Sequence, residues 1–534
     1  MINKHLSIFL VKAVFLSSFS IGKCDQPCSA RDVGIEGRSI VCVCNAAYCD
    51  TITRDEPAWN TYVAYTSTRD GKRFEKSTGP IRFLTNAKAR NYGRSEKTQT
   101  RFANEASYRI NSNTRYQKVE GFGGSVTDAA SINWRKLSDS TQRHFINSYF
   151  GKEGIEYNMI RVPIGGADFS THPYTYNESP WNDKTLSNYS LSAEDYFYKL
   201  PMIKQAQEVS TDEIKVTAST WSPPVWMKTN QAITGFAQLK PEFYQTYADY
   251  HLRFIEEYDK AEVKIWAITT TNEPINGIVP FVDFNSLGWL PSDLGRWVAR
   301  NLGPTIRNSR FNDTLILAVD DQRYLVDIYL GGMALGDPKS LDYIDGIALH
   351  YYGNFIPAGI LSNIQSRYPG KILLSTEACE GPMPWDIMQV KIGSWERAQR
   401  YTRHIIDDLN NFVVGWIDWN LCLDENGGPN WAHNYVDAPI LVYGDRDEFI
   451  KQPIFYAMGH FSKFIPRGSQ RVEVMRTSLG HVHNAAFITP QGNIVMVLQN
   501  LNQHEVQVNV ALSLLRSAQI TMEPESIKTI EFNV

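Results

Sequence analysis

Acidic, amide and aromatic side chains close a series of short apolar runs between Val119 and Asn420. The set comprises Asp128, Asp168, Trp221, Asn272, Glu273, Asp320, His350, Tyr352, Glu377, Asp418 and Trp419. Such residues suit the splitting of a glycosidic bond. One carboxyl protonates the leaving oxygen, another meets the oxocarbenium-like centre, and aromatic faces stack on sugar rings. Serine-hydrolase chemistry is not indicated, because no G-x-S-x-G occurs, and no H-E-x-x-H or comparable spacing suggests a metal. No cofactor is expected. For any single acid the alternative is a structural post, capping a helix or pairing with Arg161 or Arg323.

Eight runs carry these residues: VEGFGGSVTD (119–128), NMIRVPIGG (158–166), KVTASTW (215–221), VKIWAITTTNEP (263–274), TLILAVDDQ (314–322), GIALHYYG (346–353), KILLSTEAC (371–379) and FVVGWIDWN (412–420). Each is followed by a helix-compatible stretch. That rhythm predicts an α/β fold, a (β/α)8 TIM barrel, whose active site lies at the C-terminal ends of its strands. A doubly wound sheet is the rival, but GFGGSV has Val126 where the third glycine of G-x-G-x-x-G belongs. Beyond the barrel, residues 472–534 alternate polar and apolar side chains, which predicts an antiparallel β-sandwich; 59–110 has similar runs and can share that module.

The 534 residues leave room for a barrel with smaller companions at roughly 150 residues per domain. With 53 basic against 57 acidic residues and no basic run, nucleic acid is not the expected partner. Past the N-terminus no apolar stretch approaches the ~20 residues of a membrane helix, so no transmembrane segment is expected in the mature chain. Residues 1–22 read as a signal peptide, with Lys4 and His5 before an apolar run to Phe19 that Lys12 interrupts. Five of the seven cysteines, Cys24, Cys28, Cys42, Cys44 and Cys49, follow closely. Their density favours disulfides in an oxidising compartment over a zinc site, for which no histidine lies nearby. Sequons at Asn177, Asn188 and Asn312 fit a glycosylated protein of the secretory route.

Longer motifs carry a resemblance. TTTNEP (269–274), LLSTEAC (373–379), RVPIGGADFS (161–170), TWSPPVWMKTN (220–230), DWNLCLDENGGPNWAHN (418–434) and HFSKFIPRGSQRV (460–472) resemble the glucosylceramidase branch of glycoside hydrolase family 30. The resemblance implies a retaining β-glucosidase acting on glucosylceramide in anionic membranes, delivered to the lysosome or secreted. It also implies a saposin-type activator and a lysosomal sorting receptor as partners. Glu273 would be the acid/base and Glu377 the nucleophile, brought together by the fold to about 5–5.5 Å. By the same resemblance Asn272 would bind the sugar 2-hydroxyl, and Asp168, Trp221, Trp419 and Asn434 the other glucose hydroxyls. Arg161, His350 and Tyr352 would support the site, and Cys28 would pair with Cys42 and Cys44 with Cys49.

The implied organisation is a signal peptide (1–22), a small disulfide-containing β subdomain (24–54 plus 421–452), a β-sandwich (55–115 plus 469–534) and the catalytic barrel (116–420 plus 453–468). The chain departs from the branch in having Val282 in place of a tyrosine and an extra Cys24. A family member cleaving an external β-linked glycan is the alternative enzyme, and a non-catalytic binder the alternative outside catalysis. Phe281, Phe284, Trp289, Tyr351, Phe355 and Ile356, placed by sequence at the mouth, favour an aglycone with alkyl chains.

Overall fold

A computed structural model describes residues 25–83, 104–280, 282–383, 386–478 and 480–533. The signal-peptide assignment, Cys24 and Phe281 lie outside the described residues. Eight parallel strands close into a barrel in chain order: β1 (Gly121–Ser125), β2 (Met159–Ile164), β3 (Lys215–Thr220), β4 (Ile265–Thr269), β5 (Leu315–Gln322), β6 (Gly346–His350), β7 (Ile372–Glu377) and β8 (Val413–Asn420). Each of the eight apolar runs supplies one strand.

The period-2 alternation of strand side chains sorts these residues onto two faces. Met159, Ala267, Leu317, Ala348, Leu374 and Ile417 fill the barrel interior as one cluster. Ile160, Ile268, Ile316, Ile347 and Leu373, one residue out of phase, pack outward against the helices. Burying such a side chain contributes about 1.5–3 kcal/mol, so both faces of these strands are held. Short polar side chains cap some of the helices: Thr127 Oγ1 accepts from the Ala130 amide before Asp128–Arg135, and Ser394 does the same for Arg397 before Trp395–Asn410.

Two further sheets flank the barrel. A five-stranded sheet combines Ala30–Arg31 and Val41–Asn45 with Cys422–Asp424, Ile440–Tyr443 and Glu448–Lys451. Disulfides join Cys28 to Cys42 and Cys44 to Cys49, and the two remaining cysteines among the described residues, Cys379 and Cys422, are buried thiols. A ten-stranded sheet takes Thr61–Thr68, Glu75–Pro80, Arg82–Phe83 and Glu105–Lys118 from the N-terminal part and six strands from 470–532. It surrounds its own apolar core, including Tyr108, Met496, Val508 and Phe532. The expectation of a purely antiparallel module needs one correction. Glu105–Lys118 is inserted between two C-terminal strands, antiparallel to Gln470–Arg476 but parallel to Val506–Ala511.

Among the sequons, Asn188 and Asn312 are exposed, whereas Asn177 is buried at 2% exposure with its amide donating to Asp183. A glycan on Asn177 would have to displace this packing.

Candidate active site

Arg161 stands at the centre of the barrel mouth. It lies two residues beyond Met159 on β2 and therefore shares its inward face. Fully buried, its guanidinium donates to Glu377 Oε2, to Asn272 Oδ1 at 2.8 Å, to Asp320 Oδ2 at 2.9 Å and to Ser219 Oγ at 3.3 Å. Asp320 in turn accepts from Ser219 (2.9 Å), Thr269 (2.8 Å) and Thr376 (2.7 Å), and meets His350 Nε2 at 3.1 Å. The other ring nitrogen of His350 lies 2.9 Å from Glu273 Oε1 and 3.7 Å from Glu377 Oε1.

Opposite charges therefore alternate across the mouth. Burial alone would raise the Asp320 carboxyl, but Arg161 and His350 hold it well below the usual carboxylate range. Burial would lower His350, yet the charges of Glu377 and Asp320 drive it up to about 10, so the ring is an imidazolium at physiological pH. Both nitrogens are then N–H donors. Glu273, His350 and Glu377 present ligand-type atoms within 4.8 Å of one another, and both ring nitrogens of His350 are already engaged by carboxylates.

The two glutamates differ in their surroundings. Tyr352 Oη donates to Glu377 Oε1 at 2.8 Å and lies 3.2 Å from Cys379 Sγ. Glu273 accepts from Gln322 Nε2 at 3.2 Å and from the Asn276 amide. Its backbone sits at φ 39°, a left-handed conformation that costs a non-glycine residue of order 1–3 kcal/mol. The Glu273 N–H donates to the Asp320 carbonyl at 3.0 Å, and its own carbonyl accepts from the Asn276 amide at 2.9 Å, which hold it there.

A cavity of about 490 Å³ opens above these groups. Asp168, Trp221, Asn272, Trp419 and Asn434 all line it with Glu273, Glu377 and Tyr352, so the structure brings the sequence-assigned site together. Trp221 and Trp419 stack at 5.1 Å between ring centroids, and the Arg161 guanidinium lies 4.9 Å from the first and 5.4 Å from the second. Such cation–π contacts contribute about 2 kcal/mol where water is excluded. Val282 and Phe284 line the entrance.

Asp128 and Asp418, two other acids of the strand ends, do not join the cavity. Asp128 begins a helix and accepts from Ser170 at 2.6 Å; Asp418 accepts from the buried Tyr401 hydroxyl at 2.6 Å. Among the aromatics placed by sequence at the mouth, Trp289 and Tyr351 are buried. Phe284 and Ile356 are half-buried, and Phe355 is 71% exposed. Sequence reasoning missed Asn430, Gln322 and Asn276, and left Asp320 without a role. Asn430 joins Asn434 in donating to Asp168 Oδ2, at 3.3 and 3.1 Å.

Asp168 gives a pH-dependent prediction. Burial first, then the charge of Glu377, push its carboxyl up to about 7, against the opposing amides of Asn434 and Asn430. The folded value exceeds the unfolded one, so the native state holds an extra proton between about pH 4 and 7, and the stability tied to it is lost as pH rises across that window. Asp168→Asn cannot lose that proton. Its unfolding free energy should therefore gain on the parent's by a few kcal/mol between pH 4 and pH 8, at about 1.4 kcal/mol per pKa unit. Denaturant titrations at the two pH values measure this, and a constant difference would contradict the assignment.

Comparison with known proteins agrees with this architecture. The chain is 39% identical over 518 residues to lysosomal acid glucosylceramidase of Mus musculus, covering 96% of this chain and 95% of that one. It is 38% identical over 465 residues to putative glucosylceramidase 3 of Caenorhabditis elegans, covering 85% of each. Among solved structures, SrfJ from Salmonella typhimurium shares the fold with a TM-score of 0.78 at 24% identity, covering 89% of this chain and all of that one. Residues 119–465 match the TIM-barrel domain of glycosyl hydrolase family 30 and residues 468–530 its β-sandwich domain, so the chain belongs to that family and is a glycoside hydrolase.

Proposed function

We propose that the protein is a retaining β-glucosidase that hydrolyses glucosylceramide to glucose and ceramide by double displacement. The observation that carries this reading is that one carboxylate oxygen of Glu273 and one of Glu377 lie within 4.8 Å of each other, which favours the close carboxyl spacing at which the second carboxylate attacks directly rather than through a water. Glu377, oriented by Arg161 and Tyr352, is the nucleophile. Glu273 protonates the departing oxygen and then deprotonates the water that releases glucose. Asn272 accepts from Arg161 through Oδ1, which leaves its Nδ2 to donate to the sugar 2-hydroxyl. The stacked indoles and Asp168 hold the remaining hydroxyls. The names of the relatives support glucosylceramide as substrate and the lysosome as destination.

Release of glucose and ceramide in equal amounts from anionic vesicles carrying glucosylceramide at acidic pH tests the proposal. Turnover of a soluble aryl β-glucoside without any turnover of the lipid would favour the alternative, an enzyme for external β-glycans. Among the described residues no helix is long and apolar enough to cross a membrane, so the substrate must be met at an interface. Phe355, the most exposed mouth aromatic among the described residues, is the contact that should matter. Phe355→Ser is expected to lower activity on vesicles several-fold and leave the soluble glucoside unchanged. Equal losses on both would place the docking surface elsewhere.

A further inference from the structure

The helix Val326–Gly336, which follows β5 on the outside of the barrel, is apolar all round: VDIYLGGMALG holds one charged residue, Asp327. Such a helix is normally covered on every face. Its inner face is covered, with Val326, Tyr329, Leu330 and Met333 buried. Its outer face is open. Ile328 and Leu335 are 58% and 89% exposed, and Tyr324, in the turn leading into the helix, is 42% exposed. With Gly331 between them these residues form one stripe at helical spacing.

The glycines say what the stripe is shaped for. A Cβ on Gly332 would collide with Pro291 and one on Gly336 with the Ser292 carbonyl, so both let this helix close on its neighbour Pro291–Trp297. A Cβ on Gly331 would meet nothing within 4 Å. Glycine inside a helix lowers stability relative to alanine, and no contact among the described residues uses the side chain missing here. Its use lies outside the chain, in a backbone that crosses the helix closely at Gly331. The stripe fits itself in that crossing. Ile328 and Leu335 stand on either side of Gly331, so a second copy laid antiparallel sets Ile328 of each against Leu335 of the other. We propose that this stripe is a twofold interface between two copies of the chain.

The charges are complementary in the same arrangement. Asp327 marks the first turn and the exposed Lys339 follows the last, so antiparallel packing brings each acid toward the other copy's lysine. It also sets the positive end of each helix dipole beside the negative end of the other. A twofold contact of this kind uses one patch on both copies and closes at two. Because the helix descends from the C-terminal end of β5, the two mouths open in opposite directions and neither is covered. One helix stripe is small beside the ~800 Å² that each partner gives to a stable interface, so the dimer should form and dissociate with concentration in the micromolar range.

The test is sedimentation velocity of the full-length enzyme across the micromolar range, where a dimer that dissociates on dilution is expected. Ile328→Lys and Leu335→Glu each bury an unpaired charge in the interface and should raise the dissociation constant about tenfold or more, with turnover of a soluble β-glucoside unchanged. Mixed together, the two variants should associate again. The crossing then sets the introduced lysine against the introduced glutamate on one side, and Leu335 against Ile328 on the other. Gly331→Ala fills open space in the single chain, so it should raise the melting temperature while weakening the dimer. A parent that stays monomeric throughout, variants that dimerise as the parent does, or a mixture no more associated than its parts would each overturn the interface. Loss of vesicle binding by both charged variants of a monomeric parent would give the stripe to a lipid surface instead.

Discussion

Treatment with a cyclitol epoxide or an activated 2-fluoro-glucoside is expected to stop turnover and leave one label, on Glu377. Two contacts and its place on the strand single out this carboxylate. Arg161 holds one oxygen, Tyr352 donates to the other at 2.8 Å, and β7 presents the group to the cavity at its C-terminal end. Such a group can form the ester that a retaining mechanism requires. Glu377→Gly should lower kcat by about 10⁴-fold or more, the scale seen when one member of a catalytic unit is removed. Its melting temperature should change little by comparison. Peptide mapping that placed the label on Glu273 or Asp418 would reverse the assignment.

The second large effect belongs to Glu273→Gln and depends on the leaving group. General acid assistance contributes about 10²- to 10⁴-fold. A lipid or alkyl β-glucoside should therefore lose activity in that range, while an aryl glucoside that departs unaided should still glycosylate Glu377. The variant should then stall as glucosyl-enzyme, because the deglycosylation water has no base, and added azide should restart it. Equal losses on good and poor leaving groups, with no stalled intermediate and no azide rescue, would remove Glu273 from this role.

The barrel was legible because its strands are apolar on both faces, and such runs followed by helical stretches leave a clear rhythm. The glutamates were legible because they sit in long motifs at the ends of strands. Asp320 shows where the reading stops. Counting by twos from Leu317, which faces inward, puts Asp320 outward. The chain instead bulges between Val319 and Asp321, with φ at 77° and 48° for Val319 and Asp320, and the carboxylate turns into the barrel. A left-handed valine leaves no trace in a hydrophobic pattern. Asn430 was hidden for another reason, because its approach to Asp168 depends on how the segment after β8 folds back over the mouth. The parallel pairing within the ten-stranded sheet was equally silent, since alternation fixes which face a residue takes but not which strand lies beside it.

That sheet also sets a timetable for biosynthesis. Lys118 pairs with Gln470 and Thr68 with Ser526, partners 352 and 458 residues later in the chain (470 minus 118, 526 minus 68). At ~5–20 residues per second of translation, the early strands wait roughly 20 to 90 s for their neighbours to leave the ribosome. Through that interval Glu105–Lys118 has both edges open, the condition that recruits chaperones or invites aggregation. A nascent chain halted at residue 469 would already contain both glutamates, the paired indoles and the whole barrel, yet Glu105–Lys118 would have nothing to pair with and Thr61–Thr68 only Glu75–Pro80. Quality control that reads open β-edges would retain such a chain however complete its catalytic groups.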